Sequence, residues 1–327
     1  MTSTPSEDEL SNLFALVQRI GVFSRLRFNW INPRGSDFAK GAMTSQVSST
    51  TRNIDNHGVA DAMEFLETLA STRKISVAWL ECVKSAQPVV PKLIDTVART
   101  KYLRQLLLRL NLSDAFAVSL FRALERNRSV SVLEIRCLKF GRESAAALAR
   151  MVKRNRSMTT LKIDLREHDR YQEIQLLSIC RELEEAIPRN RFLLDVQLRT
   201  KEVKRYNDSI IRSAIRRNHG LVNQALRFIK GSMKKEDALA FEILQNCASL
   251  RLSLRVNLNT SDESDMERYI DEARKRLSFD YFVLVGVVKA KIACHPHLKG
   301  STRFDKLSKL MQAHICSFLS LTDVVDC

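Results

Sequence analysis

The amino-acid sequence predicts an α/β solenoid of stacked helix–turn–strand units, on three observations. An Asn or Thr recurs at Thr72, Thr100, Asn127, Asn155, Asn190, Asn218 and Asn246, in steps of 28, 27, 28, 35, 28 and 28 residues. Apolar residues stand seven and three positions before each of these anchors. Others stand six and eight positions after, with Gln224 the one polar exception. A separation of four puts two side chains on one face of a helix, and a separation of two puts them on one face of a strand. No single unit of this kind can bury its own apolar face, but stacked neighbours share a continuous core.

The helix pairs are Phe65/Leu69, Leu93/Val97, Leu120/Leu124, Leu148/Val152, Leu183/Ile187, Ile211/Ile215 and Leu239/Ile243. The strands they precede centre on Leu80, Leu108, Ile135, Ile163, Leu198, Leu226 and Leu254. An anchor Asn between helix and strand fits a turn in which its side chain satisfies backbone groups, so Asn127 and Asn155 should be buried. The one long step reflects an insertion near Arg166–Gln172. Upstream, Ser6-Glu7-Asp8-Glu9 fits a capping box opening a first helix, and the template recurs at Leu13/Val17 and Leu26/Phe28. Residues 1–28 are thus a capping helix and first unit. Residues 29–60, with Asn32-Pro33-Arg34-Gly35 and a Ser/Thr-rich stretch at Thr44–Thr51, are a loop insertion. The solenoid proper runs over 61–288, with a looser last match at Met266/Ile270 and Phe279/Tyr281. Residues 289–327 break the repeat and must cap or leave it.

The recurring Leu-x-x-Leu-x-Leu and the near-28-residue period resemble leucine-rich repeats of ribonuclease inhibitor and of NLR-type receptors, over about Leu10–Tyr281. The resemblance implies a right-handed α/β horseshoe with parallel strands on a concave face and helices on a convex face. It implies protein binding rather than catalysis. No Gly-x-x-x-x-Gly-Lys-Ser/Thr occurs, so the nucleotide-driven switch of a complete NLR-type receptor is absent.

Composition agrees with a folded protein that is neither disordered nor all-β: 45% of residues are hydrophobic, with only nine Gly and six Pro in 327 residues. Seven cysteines at irregular spacings fit reduced thiols in the cytoplasm or nucleus. The polar, acidic Met1–Leu10 has no signal-peptide pattern, and Tyr281–Val288 is too short an apolar run to span a bilayer. The formal charge of +16 favours an acidic partner. Nucleic acid is not expected, because only 7% of residues are aromatic and none interleave with the basic ones as a stacking platform. No catalytic motif and no cofactor signature is present. Cys294, His295, His297, His314 and Cys316 lack the spacing of a zinc knuckle, so no metal is expected.

The candidate partner-binding residues follow from strand alternation. One position after the last buried strand residue, the units carry Glu81, Arg109, Arg136, Asp164, Arg199, Arg227 and Arg255, all facing the concavity. Five arginines in one column either grip an acidic protein or form a solvated rim. Trp79 should share that face, as a binding hot spot or packed under the preceding insertion. The tail resembles the first half of an F-box through Ile315, Leu319, Leu321, Asp323 and Val324, without the opening Leu-Pro. That resemblance implies docking to a Skp1-type adaptor of a ubiquitin ligase. The other reading is an amphipathic helix capping the last repeat.

Overall fold

The computed structural model describes residues 49–53, 58–71, 73, 76–82, 89–138, 141–164, 172–199, 209–259, 262–289, 294 and 303–324. The expectations for 1–28 lie outside them. The chain divides into two compact units, Met1–Ala214 and Ile215–Cys327.

The first unit is α/β. Its strands are β1 (Ser49–Asn53), β2 (Val77–Cys82), β3 (Gln105–Leu112), β4 (Val132–Leu138), β5 (Thr160–Asp164) and β6 (Asp195–Arg199). They form one parallel sheet in sequence order. Parallel neighbours need a crossover. It is supplied by α1 (Gly58–Ser71), α2 (Val90–Arg99), α3 (Asp114–Arg126), α4 (Arg142–Arg154) and α5 (Gln172–Ala186), the last extended by a 3₁₀ turn at Ile187–Arg189. The two sequence periods meet in one core. Ala78, Leu80, Leu106, Leu108, Leu133, Ile135, Leu161 and Ile163 are buried from the sheet, and every helix pair from Phe65/Leu69 to Leu183/Ile187 is buried from the other side. At the sheet's last strand, Val196 and Leu198 are only half-buried.

The anchors do what their position implies. Asn155 Nδ2 donates to Leu124 O at 2.7 Å and to Asn127 O at 3.0 Å, while its Oδ1 accepts from the amides of Ser157 and Met158, both at 2.8 Å. Asn127 repeats the pattern one unit earlier, donating to Val97 O and Thr100 O and accepting from Ser129 and Val130. Asn190 repeats it one unit later with Val152, Asn155, Phe192 and Leu193. Each buried amide therefore satisfies two orphan carbonyls at the end of the preceding turn and two amides of its own. A second inter-unit contact caps α4: Gly141 N donates to Asp114 Oδ1 at 2.6 Å, and a Cβ there would stand 2.6 Å from Asp114 Oδ2.

Four expectations are corrected. The strand expected at Leu226 is instead part of α6 (Ser209–Ile229), which runs straight through the anchor Asn218. Val222, Ala225, Leu226 and Ile229 are buried at three- and four-residue spacing, so the helical period wins over the two-residue one. The strand expected at Leu254 lies in a helix, Ala248–Leu258, where Leu250 and Leu254 are buried and Leu252 is exposed. The looser match after it is also helical, Glu263–Phe279 and Tyr281–Leu284. The second unit therefore contains, with the C-terminal part of α6, α7 (Lys235–Leu244), α8 (Ala248–Leu258), α9 (Glu263–Phe279), α10 (Tyr281–Leu284) and α11 (Lys309–Cys316). Finally, the stretch read as a loop insertion contains β1. Ser49 pairs with Val77 and Arg52 with Leu80, so β1 stands 28 residues before β2, in step with the repeat. Thr50 and Arg52 fill the two positions that elsewhere carry apolar residues, which hid the unit from the pattern.

Candidate partner-binding surfaces

Strand alternation leaves one face of the sheet away from the helices. Its positions form three rows across β2–β6: Val77–Gln105–Val132–Thr160–Asp195, Trp79–Leu107–Glu134–Lys162–Gln197, and Glu81–Arg109–Arg136–Asp164–Arg199. Val77, Leu107, Val132, Glu134, Lys162 and Gln197 are half-buried, unlike the fully buried residues that alternate with them. The apolar positions Val77, Leu107 and Val132 all lie on β2–β4, beside Gln105, Arg109, Glu134 and Arg136 of the same strands, and β5 and β6 carry only polar and charged ones. The side chains of Trp79 and Glu81 lie outside the described ones.

The third row is the predicted arginine column as far as Arg199. Arg227 and Arg255 do not belong to it, because they sit on α6 and α8. Arg227 Nη2 donates instead to the buried Asp237 carboxylate at 2.7 Å, and Ser232 Oγ donates to the same carboxylate at 2.7 Å. Burial pushes the Asp237 carboxyl up, but the Arg227 guanidinium and the Ser232 hydroxyl outweigh it and hold the group below its usual range. Arg255 is exposed.

The row that remains is compensated rather than cationic. Over the open-face positions Arg109, Arg136, Lys162 and Arg199 stand against Glu81, Glu134, Asp164 and Asp195, so the face carries no net charge. Arg136 donates to Glu134, and a chain runs from Arg199 to Gln197 at 3.0 Å and from Gln197 to Asp195 at 2.7 Å. Only Arg109 and Arg136 are like-charged register neighbours, which removes the repulsion that an uninterrupted ladder would cost.

The tail residues divide between two roles. Leu321 is fully buried in its own unit, its amide donating to Glu242 Oε1 at 3.2 Å, while Tyr281 Oη donates to Ser320 O at 2.9 Å. Asp323 accepts from Ser320 N at 2.8 Å, and Val324 O accepts from Lys235 Nζ at 3.5 Å. Ile315 and Leu319 are exposed together with Leu310, Met311 and Phe318. Cys316 is buried, which pushes its thiol up; His295 and His297 lie outside the described residues. Among the described residues no cluster of His, Cys, Asp or Glu is placed to hold a metal ion, and no helix is long and apolar enough to cross a membrane.

The strand and helix periods carry no signal for the residues that flank the anchors. Each anchor from Thr100 to Asn190 is flanked on both sides by Arg or Lys, a signal visible in the triplets themselves.

No family model and no curated protein matches the chain. Among solved structures, leiomodin-1 actin-binding site 2 (ABS2) is similar at 14% identity and a TM-score of 0.37, over 58% of this chain and 90% of that one. A likeness at that level carries no argument about fold or function.

Proposed function

We propose that the chain is a non-enzymatic leucine-rich-repeat solenoid, a right-handed α/β horseshoe whose open sheet face binds a protein partner. The 27- and 28-residue offsets between register-paired strands β1–β4, with a helix between each pair, support the repeat reading. The observation that carries the binding reading is the open face. Apolar Val77, Leu107 and Val132 stand beside the ion-paired Glu134 and Arg136 and the Arg199–Gln197–Asp195 hydrogen-bonded chain, and such a mixture of apolar and charged groups is how protein interfaces are built. The net-neutral face fits a partner with matched charges of both signs, rather than the uniformly acidic one that total charge implies. Affinity purification of full-length protein from cells tests this. A Leu107→Asp/Arg199→Glu variant should lose the principal partner at unchanged circular dichroism, and an Arg122→Glu/Arg150→Glu variant on the helices should keep it. Retention by the first variant overturns the reading.

The exposed Leu310, Met311, Ile315, Phe318 and Leu319 favour a second reading, in which the tail docks a Skp1-type adaptor while Leu321 anchors it to its own unit. Purified adaptor should bind the full chain and fail to bind an Ile315→Asp/Phe318→Asp variant. No binding to the unmodified chain sinks this reading.

A further inference from the structure

The positive charge missing from the open face is concentrated at the turns that join helix to strand. Four consecutive turns read Arg99-Thr100-Lys101, Arg126-Asn127-Arg128, Arg154-Asn155-Arg156 and Arg189-Asn190-Arg191. In each the middle residue is buried and both flanking cations are exposed. Two of the eight are ion-paired, Arg99 with Asp95 at 2.5 Å and Arg154 with Glu125 at 2.7 Å. Lys101, Arg126, Arg128, Arg156, Arg189 and Arg191 form no ion pair among the described residues.

The anchors also set the spacing of these charges. Asn127 Nδ2 reaches Thr100 O at 3.1 Å, Asn155 Nδ2 reaches Asn127 O at 3.0 Å, and Asn190 Nδ2 reaches Asn155 O at 3.4 Å. Successive pairs of cations therefore advance in step, between the ~4.8 Å strand repeat and the ~10 Å spacing of packed helices. The helix dipole accounts for one cation per turn, since a charge in the last turn meets orphan carbonyls. It does not account for Lys101, Arg128, Arg156 and Arg191, which lie beyond the helix ends.

We propose that this ridge binds the phosphodiester backbone of a nucleic-acid duplex, without reading base sequence. The surface is distinct from the open face and stands independently of the protein-binding reading. Charge density selects the ligand. An extended acidic peptide turns only alternate side chains to one side, about one carboxylate per 7 Å at most. A duplex presents one phosphate per ~1.7 Å of axis, which can engage two cations per unit. Seven of the eight flanking residues are Arg, whose fork matches phosphate oxygens bidentately. Single strands need stacked aromatics. The aromatics at these turns, Tyr102 and Phe192, are half-buried, and the Arg73 guanidinium lies over the Tyr102 ring at 5.3 Å. The scarcity of aromatics thus tells against single strands and leaves a duplex open.

The test is fluorescence anisotropy of the full chain with a labelled DNA duplex of about 20 base pairs, titrated across a salt series. Six backbone contacts give a slope of log affinity against log salt of about −5. Arg128→Ala/Arg156→Ala should weaken binding at least about tenfold in low salt and flatten the slope by about two, while Arg122→Ala/Arg150→Ala, with the same change in net charge, leaves both unchanged. A second duplex sequence, and an RNA duplex, should bind within about tenfold of the first, as expected of contacts to phosphate alone. Binding weaker than about 100 μM in low salt overturns the proposal, as does equal loss in both variants, which would mean that only overall charge is read. So does tighter binding to single-stranded DNA, to a poly-glutamate peptide or to phosphatidylserine vesicles than to the duplex.

Discussion

Asn155 and Asn218 stand at the same point of the repeat, each preceded by Arg and each buried, yet Asn155 ends a helix and Asn218 lies in the middle of one. Their downstream neighbours differ. After Asn155 comes Ser157, whose hydroxyl bonds both Asn127 O and Asn155 Oδ1, and then Leu161 and Ile163 at strand spacing. After Asn218 comes Gly220, which has no hydroxyl to offer, and then Val222, Ala225, Leu226 and Ile229 at helical spacing. Asn190 makes the same turn with Phe192 in that place, so the hydroxyl adds to the turn without being required. The turn forms where the apolar period changes from 3.6 to 2, and where the helical period continues the helix absorbs the anchor. The strand-bearing unit and the helical unit thus carry one residue pattern to two outcomes.

The largest expected effect tests the anchor itself. Asn155→Ala leaves the Leu124 carbonyl and two amides without partners in a buried turn, while Asn127 O keeps the Ser157 hydroxyl, and should cost on the order of 3 kcal/mol. Urea unfolding followed by tryptophan fluorescence reports this loss, because Trp79 stands on β2 of the same sheet and no tryptophan follows it in the sequence. A loss below about 1 kcal/mol would mean that the ladder does not hold the units together.

Truncating one leucine in each unit sharpens the contrast. Leu161→Ala in β5 should cost about 3 kcal/mol, as a buried truncation that leaves a cavity. Leu252→Ala should cost less than about 0.5 kcal/mol by circular dichroism, since a side chain that is 50% exposed on α8 has little to lose. Comparable costs would restore the strand at Leu254.

A smaller effect separates the units by pH. The Asp237 carboxyl titrates below its unfolded value, so the stability it contributes is present above the unfolded range and is lost as pH falls through its folded value. Asp237→Asn should remove about 1–2 kcal/mol at neutral pH and flatten the acid limb of helix melting, leaving the tryptophan transition of the first unit in place. An unchanged acid limb would show that the Arg227 pair contributes nothing.

The strands from Leu80 to Leu198 were legible because helix and strand positions there obey different periods, and a chance pattern rarely satisfies both. Leu226 and Leu254 misled because a Leu six or eight residues after an Asn also fits a helix, one that continues in α6 and one that starts afresh in α8; the polar Gln224 was the one residue that broke the strand pattern. β1 was invisible for the opposite reason. Register with a neighbour, rather than apolar side chains, defines it. The arginine column was legible as a row but not as a charge, since Glu134, Lys162 and Asp195, which balance the face, stand one or two rows away. The split of the tail into buried Leu321 and exposed Ile315 depends on Glu242 and Tyr281, which no local motif could supply.

The direction of the asparagine contacts bears on how the chain is made. Asn127, Asn155 and Asn190 each donate to carbonyls of the unit before, and what they accept comes from their own turn. As the ribosome releases the chain from its N-terminus, every carbonyl such a turn needs has already emerged. A nascent unit can therefore lock onto its predecessor without waiting for anything downstream, and the sheet can grow one strand at a time at the pace of translation.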